Sequence, residues 1–483
     1  LFALLTGPCH TALAASLGTR SKVEGRKLTE EISTLVGFVL LPASIAIFVF
    51  APSLIDLAAP GLAHTNPLTR AIAVRQLRVM SPCAMLAGLI GVAFGSLSNA
   101  GMYTIPSLSP AFSSISIISI IMLQCTMGGT QMYMGTWLAI GMTCGALVQW
   151  IVQTLVMAQQ GKTYPLRARW LNRADSGWKE VLLVMLPACI SSGMSQLVIY
   201  VDLYYASFMP GAAAALAYAS MLGMAPLGIL SSSLLVPLLP RFSRLAAPDQ
   251  WLQLGVEIRQ ATSVAVGLGI ALAALLIPLS TPTVCVVLQR QAFDPHASNM
   301  VAQLMRCYLV GAPFYLLRDV LLRAFFALGD GSSPTWISLV SLLGNVALDW
   351  FFVNRVGLGA PGLIIATVIV NIISVGLLIV MLGKRIECLQ ISRVLPTWIR
   401  LVAGGVVAAA TTHTVYVSSG SRILDWARSI AAIASPVELV HIVYWLMDVG
   451  MVCLAAGCGL CVYLLVLLVL RIKMVEDPRR KIV

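Results

Sequence analysis

Asn345 and Asp349 stand four residues apart in LLGNVALDWF (342–351), an otherwise apolar stretch. On a helix that spacing is one turn, so the amide and the carboxylate share a face. A carboxylate placed in hydrocarbon is costly and faces a cavity or a partner. Asp202, in VIYVDLYYAS, and Thr367, in GLIIAT, add a second carboxylate and a hydroxyl from two further apolar stretches. Carboxylate, amide and hydroxyl oxygens together suit a small hard cation, which transporters bind near the membrane midplane. The competing reading is interhelical hydrogen bonding, with Asp349 protonated or paired.

Elements that carry such residues must cross a membrane. The chain is 59% hydrophobic and only 10% charged, with a mean hydropathy of +0.90, whereas soluble domains carry about 25% charged residues. A spanning helix needs about 20 mostly apolar residues. Twelve such runs are legible, at 32–56, 71–99, 105–126, 134–158, 178–208, 212–240, 256–288, 299–328, 334–354, 360–383, 398–418 and 446–472. Residues 1–19 read as part of another, which implies that a preceding segment is missing. The formal charge of +12 collects in alternate loops, including Arg20, Lys22, Arg26 and Lys27, then Lys162, Arg167, Arg169 and Arg173, and later Lys384 and Arg385. That is the positive-inside distribution of a polytopic membrane protein, not a nucleic-acid surface. The segment 420–445 alternates apolar and charged residues and reads as an interfacial helix. Eleven Cys lie scattered, mostly within spans, so no disulfide framework is expected, and Cys458 and Cys461 read as small packing residues. The five His are dispersed, and neither a nucleotide-binding P-loop nor H-E-x-x-H occurs. The chain is therefore read as a transporter that is not an enzyme, with no cofactor.

Two stretches echo one another. AFGSLSNAGMYTIPSLSP (93–110) and AFFALGDGSSPTWISL (324–339) each close a span with Ala-Phe and a Leu three residues after the Phe, then turn through Gly to a Pro. Pro106 and Pro334 suit first helical turns, with Ser333 as the expected cap. SLGTRSK (16–22) and LLPRFSR (238–244) likewise run an apolar helix into a basic segment. Both halves run the same way, which implies two bundles related by an axis along the membrane normal.

The stretch VDLYYASFMPGAAAALAYASMLGMAPLGILSSSLLVPLLPRFSRL (201–245), RAFFALGDGSSP (323–334) and APG (59–61) resemble the MurJ/MviN family of lipid II flippases, and GPCHTALAASL (7–17) resembles its cyanobacterial and plastid branch. The resemblance implies an all-α polytopic fold of the multidrug/oligosaccharidyl-lipid/polysaccharide flippase kind. Two pseudo-repeated six-helix lobes (1–158, lacking the first helix and part of the second, and 178–383) surround a cavity, and two additional transmembrane helices follow at 397–472. It implies flipping of a polyprenyl-diphosphate-linked peptidoglycan precursor by alternating access, in a bacterial inner membrane or a plastid inner envelope. It also implies a sodium site in the second lobe, which Asp202, Asn345, Asp349 and Thr367 match, with the carbonyl of Leu363 as a further ligand. Na⁺ or the membrane potential is the expected coupling agent. One departure is Met221, where many members carry Arg.

Cationic residues follow from the same expectation. In YLLRDVLLRAFF (315–326), Asp319 and Arg323 are spaced to pair along a helix and support the cavity, while Arg318 projects about 100° from Asp319. Arg318 is the deeper, and its planar guanidinium suits a diphosphate. Arg323 is close enough to the cytoplasmic end to snorkel. Arg75 and Arg78, three apart, could receive the diphosphate after crossing or anchor the interface. The partners expected are the lipid substrate and membrane lipids, with no nucleic acid, and the chain is expected to act as a monomer. The alternatives are a flippase for another polyprenyl-diphosphate glycan, a related multidrug exporter, or a non-transporting membrane scaffold. From the charge alternation, the loop 159–177 and the tail after residue 471 are expected on the same, cytoplasmic (or stromal) face. Cysteine-accessibility labelling of intact cells will protect both positions equally, and labelling of one alone would overturn the topology.

Overall fold

Hydrocarbon offers a backbone N–H or C=O no partner except the chain itself, so a sequence of this hydropathy closes its hydrogen bonds within helices. The structure, a computed structural model, describes residues 22–159 and 196–469 apart from 66, 103, 128–130, 291–292, 387–388 and 432–436, with isolated positions before 22 and between 160 and 195. Among the described residues the regular elements are all helical. Ten helices are long and apolar enough to span a membrane, and a further pair bent by 41° would make an eleventh. Eleven of the twelve expected spans are thereby matched. The twelfth, 178–208, is described continuously only from residue 196, and residues 1–19, 159–177 and the tail after 471 lie almost wholly outside the described residues.

Two compact units divide the chain after Phe208. The first contains α1 (Lys22–Val49), the short α2 (Ala51–Ala58) and α3 (Pro60–Thr65), α4 (Pro67–Met80), α5 (Cys83–Asn99), the short α6 (Thr104–Leu108), α7 (Pro110–Thr126), α8 (Gln131–Gln159) and α9 (196–206). The bent pair is α4 and α5. Pro82 stands at the break, where it has no N–H to donate. Within this unit α5 packs on α1 and α8, and α7 lies along α8. Asp56 of α2 and Arg70 of α4 form a two-pronged ion pair, both bonds 2.6 Å.

The second unit contains α10 (Ala212–Arg244), α11 (Trp251–Leu276), α12 (Ser280–Leu288), α13 (Pro295–Ala327), α14 (Ser332–Trp350), α15 (Ala360–Arg385), α16 (Leu395–Ala431) and α17 (Val437–Val469). Its hub is α13, which packs against α10, α11 and α15. The core joins Phe242, Leu254, Ile258, Leu317, Leu321, Phe325 and Leu378. Where α11 crosses α13, Gly269 is required, because a Cβ there would run into the backbone of Pro313. The two C-terminal helices pack on each other and on α11, and the Tyr463 hydroxyl donates to the carbonyl of Gly267 at 2.9 Å. The segment 420–445 is not a separate interfacial helix. Its first part continues α16 unbroken to Ala431, since no proline interrupts the chain between 397 and 435. At 1.5 Å per residue α16 is about 55 Å long, beyond the ~30 Å of hydrocarbon.

The turn from α13 to α14 corrects the expected cap. Pro334 does occupy the first turn of α14, but the capping group is Asp330 rather than Ser333. Its carboxylate accepts from the amides of Ser332 (3.1 Å) and Ser333 (3.0 Å), from their hydroxyls (2.9 and 2.7 Å), and from Arg385 at the end of α15 (2.7 Å). A carboxylate accepts these bonds more strongly than a hydroxyl does, so it wins the competition for the orphan amides. Gly329, at φ +72°, makes the turn. Burial works to raise the Asp330 carboxyl, but the bonds from Ser333 and Ser332 and the charge of Arg385 prevail and bring it down to about 2. Its stabilisation is therefore complete above the unfolded value of about 3.9 and is lost as pH falls toward about 2. Asp330→Asn will lower unfolding free energy by about 0.5–2 kcal/mol at pH 7. Thermal melts in detergent should show the gap from wild type persisting to about pH 4 and closing below it.

Candidate functional site

The face anticipated from residues 345 and 349 is buried. Asn345 and Asp349 are 1% and 0% exposed on α14, in a helix whose other side carries open apolar residues such as Leu343 and Val346. Immediately after Asp349 and Trp350 the helix widens into a π-helical turn, Phe351–Val356, which ends at Gly357 with φ +73°. Local widening of this kind recurs at functional sites because it re-aims the residues beside it.

The partner element is α15, which runs alongside α14. The Asn345 Nδ2 donates to the Thr367 hydroxyl at 3.2 Å, and that hydroxyl donates to the carbonyl of Leu363 at 3.2 Å. Asn345, Thr367 and Leu363 are therefore brought together, with Asp349 one turn further along α14. The Asn345 Oδ1 is buried and has no hydrogen-bond partner among the described residues. One turn before Asn345, Ser341 meets Ser374 of α15 with their hydroxyl oxygens 2.5 Å apart. The two helices thus face each other along a polar seam.

Asp202 lies on α9 in the first unit. Its Oδ1 is also buried without a hydrogen-bond partner among the described residues. The end of its helix is tied down five residues later: the Gly61 amide donates to the Ser207 hydroxyl at 3.0 Å, and that hydroxyl donates to the carbonyl of Tyr204 at 2.6 Å. Gly61 is the only residue type that fits there, because a Cβ would meet the Ser207 carbonyl. The APG stretch at 59–61 is accounted for by this close approach.

The cationic candidates separate into two kinds. Arg318, half-buried on α13, donates from its NH1 to the Asn371 carboxamide oxygen of α15 at 3.4 Å, and its Nε is buried without a hydrogen-bond partner among the described residues. Asp319 takes its hydrogen bond from Ser231 of α10 at 2.7 Å, rather than from Arg323 along the helix. Arg75 and Arg78 lie over aromatic rings, 5.6 Å from the Tyr133 centroid and 5.8 Å from the Phe48 centroid. That geometry holds each guanidinium over a ring while leaving its N–H edges able to donate. Met221 is 59% exposed. Asn371, only 6% exposed, was not singled out from sequence. The signal for it was present in the spacing of Thr367, Asn371 and Ser374, a polar stripe at helical period in an apolar run.

Among the described residues, membrane-spanning helices with a polar seam buried between two of them make an architecture suited to a transporter. Solved structures agree on the fold. One described as lipid II flippase MurJ in an inward closed conformation matches with a TM-score of 0.74 at 19% identity, covering 98% of this chain and 90% of that one. An inward-facing multidrug resistance MATE family transporter of the MOP superfamily matches at 0.66 and 14% identity, covering 80% and 88%. At the sequence level, the family described as "Lipid II flippase MurJ" matches residues 1–432. A Synechocystis sp. protein named "Probable lipid II flippase MurJ" is 42% identical over 401 residues, 81% of this chain and 74% of that protein. The chain belongs to the MurJ family of lipid II flippases.

Of the three arginines of α13, Arg318 is the one that bonds to α15, so its loss and that of Arg323 will differ in consequence. Arg318→Ala removes a half-buried guanidinium whose Nε has no hydrogen-bond partner among the described residues, and should weaken binding of a polyprenyl diphosphate by roughly 10- to 100-fold, the worth of one or two charged hydrogen bonds. Arg323→Ala should stay within about threefold of wild type. Scintillation or fluorescence binding to the purified protein checks both, and equal affinities would move the diphosphate site elsewhere.

Proposed function

We propose that the polar seam between α14 and α15 couples a small monovalent cation, Na⁺ in the first instance, to the movement of lipid II. The chain is a multi-pass membrane flippase of the MurJ family, and a flippase moves its lipid substrate without making or breaking a covalent bond. Unaided passage of a diphosphate-sugar-peptide head through hydrocarbon would carry a prohibitive desolvation cost, so the protein must supply a polar route. Arg318 offers that route a fixed guanidinium, with Asp319 and Arg323 shaping the charge around it. Arg75 and Arg78 offer further donors in the first unit. The lipid tail needs no such route and stays in the bilayer, and one chain suffices as a monomer.

The observation that carries the cation reading is the buried Asn345 Oδ1. Its own Nδ2 is pinned to Thr367, so the oxygen is held in place beside the wholly buried Asp349, with the Thr367 hydroxyl and the Leu363 carbonyl adjoining. An amide oxygen left without a donor in a protein interior costs about 1–3 kcal/mol, and a cation repays that cost. Such a cation biases alternating access only through unequal affinity for the two states. A purely structural network is the competing account, and it predicts that removing the carboxylate reduces stability without touching any cation response.

The test is lipid II flipping in proteoliposomes with sodium or with an impermeant organic cation outside. Asp349→Asn should fold, insert and lose the sodium response, and Asp202→Asn measured in parallel determines whether its carboxylate shares that response. A wild-type protein indifferent to sodium, or an Asp349→Asn protein with the wild-type response, would overturn the cation reading. Failure of the wild-type gene to rescue growth of cells depleted of their lipid II flippase would overturn the transport reading itself.

A further inference from the structure

The seam does not stop at the proposed cation ligands. Thr367 and Asn371 are one turn apart on α15, and the Asn371 Nδ2 donates to the backbone carbonyl of Thr367 at 2.8 Å. Its Oδ1 accepts from Arg318. A continuous path of hydrogen bonds therefore runs from Asn345 through the Thr367 residue and the Asn371 carboxamide to the Arg318 guanidinium, across three helices of one unit. Asn371 is nine-tenths buried and spends one end of its amide on each neighbour.

We infer that Asn371 is a positioning residue for transport, which transmits occupancy of the cation ligands on α14 and α15 to the diphosphate-binding guanidinium of Arg318. This rests on the cation reading above and adds the residue that links its two ends. A guanidinium has five N–H donors in a rigid plane, so one bond from Asn371 sets the plane and leaves the others for phosphate oxygens. The carboxamide is in turn set by the Thr367 carbonyl. A cation drawing on Asn345 and Thr367 holds α14 and α15 together at that level, which keeps Arg318 oriented before the lipid arrives. Orientation in advance removes part of the ordering cost of binding. By linkage, the lipid must strengthen cation binding by the same factor.

The experiment uses the full-length protein in nanodiscs and a polyprenyl diphosphate as the probe, with dissociation constants measured in sodium and in an organic-cation buffer, and ²²Na binding measured alongside. In the wild type, sodium should tighten the probe by roughly five-fold or more, within the usual range of coupling. Asn371→Leu, which keeps the branched shape without the polar atoms, should bring that ratio to within two-fold of unity while ²²Na binding stays close to wild type. Asn371→Asp keeps an acceptor for Arg318 but loses the donor to Thr367 and places a negative charge beside the guanidinium, where it opposes a diphosphate. It should lose the sodium effect as well and bind the probe more weakly than Asn371→Leu does. A residue that merely stabilised the helix pair would lower the melting temperature and leave the ratio unchanged, and that result overturns the inference. Sodium binding in the wild type with no effect on the probe also overturns it, while leaving the cation site standing. Absence of any ²²Na binding to the wild type overturns the cation reading and this inference with it.

Discussion

Hydrocarbon supplies no hydrogen bonds, and everything distinctive about this chain follows from how it meets that constraint. The backbone does so by being helical. Polar side chains inside the bundle have to find each other, and they do so in a register that helical geometry imposes. Ser341, Asn345 and Asp349 recur at four-residue steps on α14, and Leu363, Thr367, Asn371 and Ser374 form the answering edge of α15. The contacts Ser341 to Ser374 and Asn345 to Thr367 are the rungs between them. An apolar pair of helices could slide or rotate at small cost. This pair cannot do so without exposing several polar groups to lipid at once.

Placement of α13 turns that local constraint into one that spans a whole unit. It packs on α10, α11 and α15, so Arg318 and Asp319, adjacent in sequence, look to different neighbours: one to Asn371 of α15, the other to Ser231 of α10. The Gly269 contact beneath Pro313 holds α13 close to α11. Asp330 then fastens the far end of the same helix to α14 and to Arg385 of α15. Arg318, Asp319 and Asp330 are thus each tied to at least one neighbouring helix, which is the condition under which a small movement at one of them is felt at another.

Sequence reading carried the architecture because hydropathy and the twenty-residue length of a membrane span are strong, redundant signals. It found Asn345 and Asp349 because a carboxylate in an apolar run is rare enough to stand out. It did not find Asn371, which is uncharged and has only Ser374 for polar company in VIVNIIS. The helical spacing of Thr367, Asn371 and Ser374 is a weaker signal than a carboxylate, because uncharged polar residues are common in spans. The cap was misassigned for a related reason. GDGSSP offers three neighbouring acceptors, and local spacing does not say which one the fold of α15 will reinforce. The length of α16 was missed because an alternation of charged and apolar residues is equally compatible with a helix lying on the bilayer and with one rising out of it.

The π-helical turn after Asp349 has a consequence for how this region tolerates changes in length. Phe351–Val356 holds more residues per turn than the regular helix that precedes it, and the chain then reverses through Gly357 and Gly359 into α15. Removing one residue from this turn would restore regular winding and leave the direction of the connection nearly unchanged, because the wider turn has already absorbed the extra residue, and Asn345 and Asp349, lying upstream, would keep their facing. Insertions and deletions here are therefore separable from the polar seam. The chain can lose a residue between α14 and α15 without turning either side of the seam away from the other.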